Sequence, residues 1–519
     1  MSVRLWEFSN EPFADFSKPD NAAAMRAALA AVRSEFGREY PLHIGGATFH
    51  TGDLLKSVNP SQPSETVGLH HKATRELAGQ AVAVADACFA GWSRTPAGTR
   101  VEMLRRAAAN LRRRKFEFNA WLVLEAGKTW IEAEAETCEA IDFCEYYALQ
   151  MLKWAEPEPL PQVGGEHGEL RYLPLGVGVV IPPWNFSLAI LAGMTVAALV
   201  AGNTVVLKPS SDTPTVAAKF VAVLAEAGFP AECCTLLVGG GREIGDLLVA
   251  HPRTRFVSFT GSREVGLRIN ELAARPHAGQ LWIKRVAAEM GGKDAIIVDD
   301  EADLDSAAQG VLASAFGYQG QKCSACSRAI VVASVYEAFL AKLVPLVQAI
   351  QVGPCEDQRN YMGPVINERS RRTILDYIEI GKKEGRLLTG GAAAPGEGYF
   401  VQPTVIADID SKSRLFQEEV FGPVLAVTRA RDFEHALELA NDTEYGLTGS
   451  AYTRNPAKIE AAKERFFVGN LYFNRKCTGA LVGCHPFGGF NMSGTDSKAG
   501  GPDYLLQFLQ AKSIATKTA

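Results

Sequence analysis

The sequence lacks a long uninterrupted apolar run. The longest apolar stretch, residues 175–207, is interrupted by two prolines and two asparagines. Its uninterrupted part, residues 188–201, is shorter than the roughly 20 residues that a helix needs to cross a bilayer. The first residues, MSVRLWEFSNEPF, contain no basic segment followed by an apolar one, so we expect no secretory signal and no membrane partner. The sequence instead predicts a buried helix at 188–201.

A strong excess of one charge is also absent. Lys and Arg number 53 and Asp and Glu number 58, which leaves a formal net charge of −5 over 519 residues. Without a broad basic surface, nucleic acid is not expected as a partner. Internal repeats and low-complexity segments are missing too. A chain of this length exceeds one hydrophobic core, so the sequence predicts two or three domains.

Cysteine is scarce, with ten residues, and no secretory segment accompanies them. Thiols in a long chain of this kind are expected to stay reduced. The sequence therefore favours a cytoplasmic location.

Short β-branched runs alternate with helical segments over most of the chain. The first such runs are VGVVI (177–181), TVVLK (204–208), TLLVG (235–239) and RFVSF (255–259), each followed by a helical pattern. Apolar strands joined by helices predict a parallel sheet covered on both faces. A second alternating region spans residues 294–482, so two α/β domains are expected. Residues 23–36 and 78–153 are helical in pattern, and residues 155–170 form a Pro/Gly-rich break.

The segment GQKCSACSR (320–328) contains a Cys-x-x-Cys pair, Cys323 and Cys326. A zinc site would need a second ligand pair, and none lies nearby in the sequence. A redox pair would be expected at the first strand–helix unit of the chain. A nucleophilic thiol and a buried cysteine without a role both remain open on the residues alone.

Two glycine-rich segments lie where a strand gives way to a helix, FTGSREVG (259–266) and GGGREIG (239–245). Free N–H groups at a helix start can face a phosphate, and glycine allows close approach. Neither segment is the G-x-G-x-x-G fingerprint, so an ordinary tight turn is an equally good interpretation.

Three further segments carry polar residues suited to chemistry. Asn185 in PPWNF could donate to a developing oxyanion, or it could be a turn residue. Glu289 in AEMGGKD could be a general base with a raised pKa, or it could pair with a lysine. The segment EEVFGPV (418–424) would by itself suit any exposed turn.

Seven motifs in order resemble the aldehyde dehydrogenase superfamily over nearly the whole chain. They are PPWNF (182–186), KPSSDTP (208–214), FTGSREVG, AEMGGK, GQKCSA, EEVFGPV and HPFGGF (485–490). The resemblance implies an aldehyde dehydrogenase-like α/β fold with a Rossmann-like cofactor domain, an α/β catalytic domain and a small β oligomerisation flap. The implied boundaries are 1–40 for an N-terminal helical arm, 41–157 and 177–290 for the NAD(P)-binding domain, 291–485 for the catalytic domain, and 158–176 with 486–519 for the flap and C-terminal tail.

The resemblance also implies residue roles. Cys323 matches the nucleophile, Asn185 the oxyanion donor acting with the Cys323 N–H, and Glu289 the general base. Lys208 matches the adenosine-ribose contact, Ser262 the pyrophosphate contact, and Glu419 the nicotinamide-ribose contact, with Phe421 beside the ring. The full implied cofactor set is Ile181, Pro182, Trp184, Lys208, Ser211, Gly241, Gly245, Thr260, Gly261, Ser262, Val265, Glu419 and Phe421.

The implied cofactor is NAD⁺, and we expect NADP⁺ to be tolerated as well. Relatives that select NAD⁺ often carry a Glu three residues after the ribose lysine. Here Lys208 is followed at that spacing by Ser211, although Asp212 stands next to it. No metal is expected.

A finer resemblance lies in GQKCSACSR and in residues 474–508. Both look like the branch of the family that oxidises L-glutamate γ-semialdehyde to L-glutamate in proline catabolism. The implied substrate residues are Phe186, Ser324, Gly479, Ala480, Phe487 and Glu139. The implied partners are an amino-acid-derived aldehyde, further copies of this chain in a homo-oligomer built from dimers, and a proline dehydrogenase. A weak strand pattern at 513–518 suits an edge that pairs with a partner subunit.

Two other functions stay in view. A family member of the same fold could act on a different aldehyde, and the loop 478–480 is the segment that separates the two substrate hypotheses. A catalytically silent member used for binding would be expected to lack Cys323, Glu289 or Asn185, all of which are present. A CoA-acylating relative is disfavoured because Glu289 suits hydrolysis.

Overall fold

The computed structural model describes residues 6–517. Its α-helices are α1 (Pro19–Arg33), α2 (Arg75–Trp92), α3 (Ala97–Arg113), α4 (Lys115–Ala126), α5 (Trp130–Ala155), α6 (Ala189–Val200), α7 (Pro214–Glu226), α8 (Asp246–Ala250), α9 (Arg263–Ala274), α10 (Leu304–Phe316), α11 (Tyr336–Gln348), α12 (Glu368–Glu384), α13 (Arg414–Gln417), α14 (Phe433–Asn441) and α15 (Pro456–Arg465).

The strands are short, as expected for parallel sheets. They are β1 (Arg38–Tyr40), β2 (Leu42–Ile44), β3 (Ala47–Phe49), β4 (Leu54–Asn59), β5 (Gln62–His71), β6 (Glu158–Pro159), β7 (Glu166–Pro174), β8 (Val177–Ile181), β9 (Thr204–Leu207), β10 (Cys234–Leu236), β11 (Thr254–Thr260), β12 (Arg285–Glu289), β13 (Asp294–Val298), β14 (Cys326–Val332), β15 (Arg386–Thr389), β16 (Thr404–Ala407), β17 (Val424–Ala430), β18 (Tyr445–Gly446), β19 (Thr448–Tyr452), β20 (Asn470–Phe473), β21 (Phe490–Asn491) and β22 (Leu509–Lys517).

The first large sheet has five parallel strands in the order β10-β9-β8-β11-β12. The four strands predicted from β-branched runs all lie in it, although β10 is shorter than predicted. Ile181 pairs with Phe259 and Thr260 pairs with Glu289, so the carboxyl ends of β8, β11 and β12 are level with one another. The chain adds β9 and β10 on one side of β8, and β11 and β12 on the other. Ligands of such sheets bind at this switch point, outside the carboxyl ends.

The second large sheet has seven strands in the order β15-β16-β17-β14-β13-β19-β20. All neighbouring pairs are parallel except β15 with β16, and the predicted second α/β region is therefore confirmed. All five residues of the central strand β13 are buried. Ile296 and Val298 pack into one apolar cluster and Ala295 and Ile297 into another, because alternate side chains point to opposite faces. Both faces of this sheet are covered.

A smaller antiparallel sheet joins the C-terminal strand to the middle of the chain. Its order is β22-β7-β6, with Leu509 paired to Pro174 and Lys517 to Glu166. The predicted tail strand thus begins earlier than expected, at Leu509, and Thr518 lies outside the described residues. One edge of β22 pairs with β7 of the same chain.

The predicted apolar helix is α6, which begins at Ala189. It is apolar on all sides, and its residues are buried except for the half-buried Ile190. In residues 6–517, no helix combines the length and apolar character that crossing a membrane requires. Near the N-terminus, α1 packs its buried face (Met25, Leu29 and Val32) against α4, and residues 1–5 of the predicted arm lie outside the described part of the chain.

Candidate active site

The two large sheets meet where β12 ends and β13 begins. Only residues 290–293 separate Glu289, the last residue of β12, from Asp294, the first of β13. Asp294 pairs with Cys326 at the start of β14, and Cys323 lies three residues before Cys326. The carboxyl end of the first sheet therefore faces the amino end of the second, with Glu289 and Cys323 at the junction.

The loop before Cys323 has an unusual backbone. Tyr318, Gln319 and Gly320 have φ angles of 49°, 57° and 67°, a left-handed region that side chains other than glycine rarely adopt. The Gln319 side-chain amide donates to the carbonyls of Gly127 at 2.9 Å and Pro364 at 2.8 Å. A Cβ at Gly320 would lie 2.3 Å from the carbonyl oxygen of Gly422, so only glycine fits there. These contacts hold the backbone in its strained conformation, and the strained loop in turn fixes the position of Cys323.

The thiol of Cys323 is half-buried, and that of Cys326 is buried. Burial raises the pKa of Cys323 well above its ordinary value, and the carboxyl groups of Glu289, Asp294 and Glu419 add to the rise. The resting form is therefore the neutral thiol. Solvent reaches Cys323 but not Cys326, whose Sγ contacts the Arg328 carbonyl at 3.4 Å.

Asn185 lies beside the same loop. Its side chain is buried, and Nδ2 donates a hydrogen bond to the Gln321 carbonyl at 3.1 Å. One amide N–H is thereby committed, which fixes the orientation of the amide and leaves its second N–H as a donor. The structure thus brings Asn185 to the loop that carries Cys323.

Glu289 is buried at the end of β12. Its Oε1 accepts a hydrogen bond from the N–H of Gly489 at 3.2 Å. Its Oε2 has no hydrogen-bond partner, and Glu289 makes no salt bridge among residues 6–517. Burial raises the pKa of this carboxyl well above its ordinary value. A buried carboxyl with one unpartnered oxygen is suited to accept a proton from a water molecule.

Glu419 and Phe421 form a neighbouring wall. Oε1 of Glu419 accepts a hydrogen bond from the N–H of Gly292 at 3.0 Å, and burial raises the pKa of this carboxyl to about 7. A Cβ at Gly291 would lie 2.2 Å from Oε2 of Glu419, which accounts for the double glycine of AEMGGK. The Phe421 ring packs edge-on against Trp184, with ring centres 5.4 Å apart.

The other predicted cofactor residues follow the carboxyl ends of β8, β9 and β11, or lie in the turn after β10. Lys208 is buried, and burial lowers its pKa to about 8. Within the described chain the only hydrogen bond of its side-chain ammonium is a long one of 3.4 Å to the Pro209 carbonyl. Of the rest, Pro182 and Gly245 are buried, Ile181, Trp184, Ser211, Thr260 and Gly261 are half-buried, and Gly241, Ser262 and Val265 are exposed.

These positions fit a dinucleotide. Ser262 is the N-cap residue of α9, and its hydroxyl makes no capping bond, so the N-terminus of this twelve-residue helix is open to an anion. Gly245 lies next to the Lys208 side chain, since a Cβ at Gly245 would be in ordinary contact with Lys208 Cε at 3.6 Å. An open helix start and a poorly partnered ammonium suit the phosphates and ribose of NAD⁺.

A buried ion pair beside Phe186 was missed in the sequence. Lys128 Nζ lies 2.7 Å from Glu136 Oε2, 4.1 Å from the ring centre of Phe186 and 3.9 Å from that of Tyr318. Oε1 of Glu136 accepts the N–H groups of Leu188 at 2.7 Å and of the next residue at 3.2 Å, at the start of α6. The pair therefore ties α6 and Phe186 to the loop before the cysteine.

Glu139 lies on the same helix, α5. Burial raises the pKa of its half-buried carboxyl to about 8, and the neighbouring Glu136 adds to the rise. Glu132, one turn before Glu136, pairs with Lys322 at 2.8 Å, next to the cysteine. Glutamates at positions 132, 136 and 139 have the spacing of one helix face, and this signal in the sequence could have identified the group.

The loop 477–483 contacts the residue after the nucleophile. The thiol of Cys477 donates to the carbonyl of Ser324 at 3.3 Å. Gly479 is exposed with φ +78°, and Ala480 is half-buried. The Arg475 guanidinium donates to the carbonyls of residues 478 and 479. Within residues 6–517 the N–H groups of Gly479 and Ala480 donate to no acceptor, so both are available to an anion.

Phe487 is held by its backbone, which exchanges two hydrogen bonds with Ala499, at 2.8 and 2.7 Å. Its ring is half-buried.

Elsewhere in the described chain, Glu39, His50 and His71 form a cluster of metal-ligand residue types. Nδ1 of His71 accepts the N–H of Thr51 at 2.9 Å, so the neutral ring carries its proton on Nε2, which lies 2.5 Å from Glu39 Oε1. Hydrogen bonds of His71 with His50 and with Glu39 therefore account for the close approach of these three side chains.

The family model for the aldehyde dehydrogenase family matches residues 49–514. The chain belongs to this family, as the seven motifs predicted, and it has the aldehyde dehydrogenase fold.

The chain is similar throughout to several characterised relatives. A protein from Geobacillus kaustophilus named 1-pyrroline-5-carboxylate dehydrogenase is 59% identical over 98% of this chain and 99% of its own. A Thermus 1-pyrroline-5-carboxylate dehydrogenase with bound NAD is 50% identical, with a TM-score of 0.97 and full coverage of both chains. A proline utilization A structure from Bdellovibrio bacteriovorus is 44% identical with a TM-score of 0.97, and the match covers 99% of this chain and 53% of that one.

Proposed function

We propose that this chain is a 1-pyrroline-5-carboxylate dehydrogenase, which oxidises L-glutamate γ-semialdehyde to L-glutamate with NAD⁺ in the second step of proline catabolism. The contact of Cys477 with Ser324, which brings an open glycine loop beside Cys323, is the observation that carries the proposal. The names of relatives more than 50% identical over nearly their whole length support it.

Cys323 performs the covalent chemistry. The thiol releases its proton to solvent, which is one of the two protons released overall, and the sulfur attacks the aldehyde carbon. The negative oxygen of the adduct then receives hydrogen bonds from the Asn185 amide and the Cys323 N–H. NAD⁺, when bound, supplies the hydride acceptor. Loss of the hydride leaves the acyl group on Cys323 as a thioester.

Glu289 completes the turnover. Its unpartnered Oε2 takes a proton from a water molecule, and the resulting hydroxide attacks the thioester carbon. The carbon–sulfur bond breaks, which releases the carboxylate and restores the thiol. In balance, aldehyde, water and NAD⁺ give carboxylate, NADH and two protons.

Substrate recognition uses both ends of the amino acid. The α-carboxylate accepts hydrogen bonds from the N–H groups of Gly479 and Ala480 and from the hydroxyl of Ser324. Phe186 and Phe487 enclose the short aliphatic chain. Glu139, whose pKa is raised to about 8, lies on the helix that faces the substrate's amino group.

Cofactor selection depends on the residues after Lys208. Asp212 accepts a hydrogen bond from the Asn367 amide at 2.9 Å, and burial raises the pKa of its carboxyl. One oxygen of this carboxyl is therefore already engaged by Asn367, and we expect Asp212 not to take the place of the glutamate that is missing at Ser211. NADP⁺ is accepted as a second cofactor.

The larger organisation follows the family pattern. The NAD(P)-binding domain comprises residues 41–157 and 177–290, and the catalytic domain residues 291–485, with the remainder forming the N-terminal arm, the flap and the tail. The chain works in the cytoplasm as a homo-oligomer of dimers and receives substrate from a proline dehydrogenase.

Steady-state kinetics test the proposal. Pyrroline-5-carboxylate, which opens to the semialdehyde in water, and hexanal are compared with NAD⁺ and NADP⁺ in parallel. We expect kcat/KM for the semialdehyde to exceed that for hexanal. An equal or higher value for hexanal would overturn the substrate assignment and leave the aldehyde dehydrogenase chemistry intact.

A further inference from the structure

The part of the N-terminal arm before α1, residues 6–18, contacts the loop 477–483. The side-chain amide of Asn10 donates to the Val482 carbonyl at 3.0 Å and to Oδ2 of Asp142 at 2.9 Å. The N–H of Glu11 donates to Oδ1 of the same aspartate at 2.7 Å. Asn10 therefore bridges helix α5 and the loop across 472 positions of sequence.

An aromatic contact lies beside this bridge. The ring of Phe8 packs edge-on against Tyr146 of α5, with centres 5.0 Å apart. A Cβ at Gly483 would lie 3.0 Å from Phe8 and 3.1 Å from Tyr146, so both rings press directly on the loop backbone. Gly483 has φ +77°, and its N–H donates to the Gly500 carbonyl at 2.9 Å.

The arm itself is fixed to the helices beneath it. Glu11 pairs with Arg112 of α3 at 2.8 Å. The N–H of Ala14 donates to Oε1 of the buried Glu134 at 2.7 Å, and Oε2 of that glutamate accepts the Asn119 amide at 2.7 Å. The arm is therefore a rigid support at the point where it meets the loop.

We infer that Asn10 and Phe8 are positioning residues that set the enzyme's selectivity for a substrate carboxylate. Backbone donors bind an anion well only when their supports hold them within about 0.5 Å of the productive position. The loop contacts Ser324 through Cys477, and it contacts the arm through residues 482 and 483. These two sets of contacts hold the loop in position. This inference rests on the proposed function.

Asn10→Ala tests the bridge. We expect KM for pyrroline-5-carboxylate to rise about tenfold, as for the loss of one buried hydrogen-bonded contact, with kcat within about twofold. The kcat/KM for hexanal should change by less than about twofold, because hexanal has no carboxylate. Asn21→Ala is the matched control, since the Asn21 amide donates only within the arm region, to the Asp15 carbonyl at 2.9 Å.

Phe8→Ala provides a second variant, expected to show the same selective rise in KM. Thermal unfolding of each variant is measured alongside. Equal changes for both aldehydes, or no change in the KM for pyrroline-5-carboxylate, would overturn the inference. This inference is tested by the ratio of each variant's KM to that of the wild type. The proposed function is tested by the wild-type preference between the two aldehydes, so either can fail without the other.

A second, independent feature is a pair of cysteines away from the active site. The sulfur atoms of Cys88 on α2 and Cys233, just before β10, lie 3.3 Å apart. A disulfide needs about 2.05 Å between sulfur atoms, so a small movement would join them. Cys88 is half-buried and Cys233 buried. The hydrogen bond between the two thiols lowers the pKa of Cys88 and raises the pKa of Cys233.

We propose that Cys88 and Cys233 form a reversible disulfide by exchange with a low-molecular-weight disulfide. The Cys88 thiolate attacks one sulfur of the reagent and expels a thiolate, which gives a mixed disulfide. The Cys233 sulfur then attacks the Cys88 sulfur while its proton passes to the thiolate expelled in the first step, and the second thiolate of the reagent leaves. The reagent gains two electrons and the protein loses two protons, and the new bond ties α2 to the edge strand of the five-stranded sheet.

Oxidised glutathione tests this pair in a Cys323→Ala background, which removes the reactive active-site thiol. We expect peptide mapping to find Cys88 linked to Cys233, and Tm to rise by about 2 °C and return with dithiothreitol. Cys88→Ser should abolish both effects, and Cys484→Ser, which changes an exposed thiol elsewhere, should preserve them. A stable glutathione adduct at Cys88 without the cross-link would overturn the proposal.

Discussion

Oε1 of Glu289 accepts a hydrogen bond from the backbone N–H of Gly489 at 3.2 Å, while Oε2 of the same carboxyl has no hydrogen-bond partner in the described chain. The first oxygen fixes the orientation of the side chain. The second remains available to a water molecule. This division of the two oxygens suggests a specific consequence for catalysis.

Glu289→Gln should slow steady turnover by roughly 10²–10³-fold and still allow a burst of NADH. Gln keeps the oxygen that accepts from Gly489 but cannot take a proton from water, and hydride loss precedes hydrolysis. Rapid-mixing absorbance at 340 nm measures the burst. If the variant gives neither a burst nor a trapped acyl-enzyme, the proton acceptor lies elsewhere.

Cys323→Ala should lower turnover by roughly 10³-fold or more, because the variant has no sulfur at this position to form the thioester. Cys326→Ala should keep most of the activity, since Cys326 is buried behind its neighbour. Labelling with iodoacetamide followed by mass spectrometry should modify Cys323. Inactivation that accompanies labelling of Cys326 alone would contradict this assignment.

NADP⁺ should support turnover with kcat/KM within about 100-fold of that for NAD⁺, because Ser211 offers no fixed charge against a 2′-phosphate. Asp212→Asn should narrow the difference further, because it removes the carboxyl group next to Ser211 that could repel the phosphate. Initial rates with each cofactor at saturating aldehyde decide the matter. A preference for NAD⁺ of several orders of magnitude would rule the idea out.

Ala480→Leu should raise KM for pyrroline-5-carboxylate about tenfold, because a larger side chain displaces the loop N–H groups from the carboxylate. The KM for hexanal should change much less. Leu481→Ala, which alters an exposed side chain of the same loop, is the control. A parallel rise for both aldehydes would indicate general damage to the site.

Glu139→Gln should change how stability depends on pH. The folded carboxyl has a pKa raised to about 8 by burial, against about 4.3 in an unfolded chain. Its contribution is therefore fully present below pH ~4.3 and is lost as pH rises to about 8. Gln does not titrate, so the Tm of the wild type should fall relative to the variant between pH 5 and 8. Parallel Tm curves over this range would show that the carboxyl is not held neutral.

The elements of both large sheets could be predicted from local patterns. Strand β8 is the run VGVVI and strand β11 contains RFVSF, because β-branched residues favour buried strands wherever they occur. The helical pattern predicted after RFVSF is α9, which begins at Arg263. The π-helical turn at Gly241–Gly245 was not predicted, since its hydrogen bonds depend on packing beyond the local sequence.

The residues of the candidate site were only partly predictable from the sequence. The motifs identified Cys323, Asn185, Glu289 and Glu419, which converge at the junction between β12 and β13. The pair of Lys128 with Glu136 and the arm residue Asn10 gave no motif. Asn10 contacts Val482, which is far away in the sequence, and no local pattern encodes such a contact. For Glu136 a signal did exist, since Glu132, Glu136 and Glu139 have the spacing of one helix face.

The sequence by itself determined the α/β class and the order of the strands and helices, because these follow from side-chain size, polarity and spacing. Its resemblance to the aldehyde dehydrogenase family, and not spacing alone, pointed to Cys323, Asn185 and Glu289 as the residues for the chemistry. The tertiary structure alone decided which of two nearby thiols solvent can reach, which oxygen of Glu289 stays unpartnered, and which residues support the loop 477–483. Burial and hydrogen-bond partners arise only when segments hundreds of residues apart pack together, and they set the pKa values and the rigidity on which the chemistry depends.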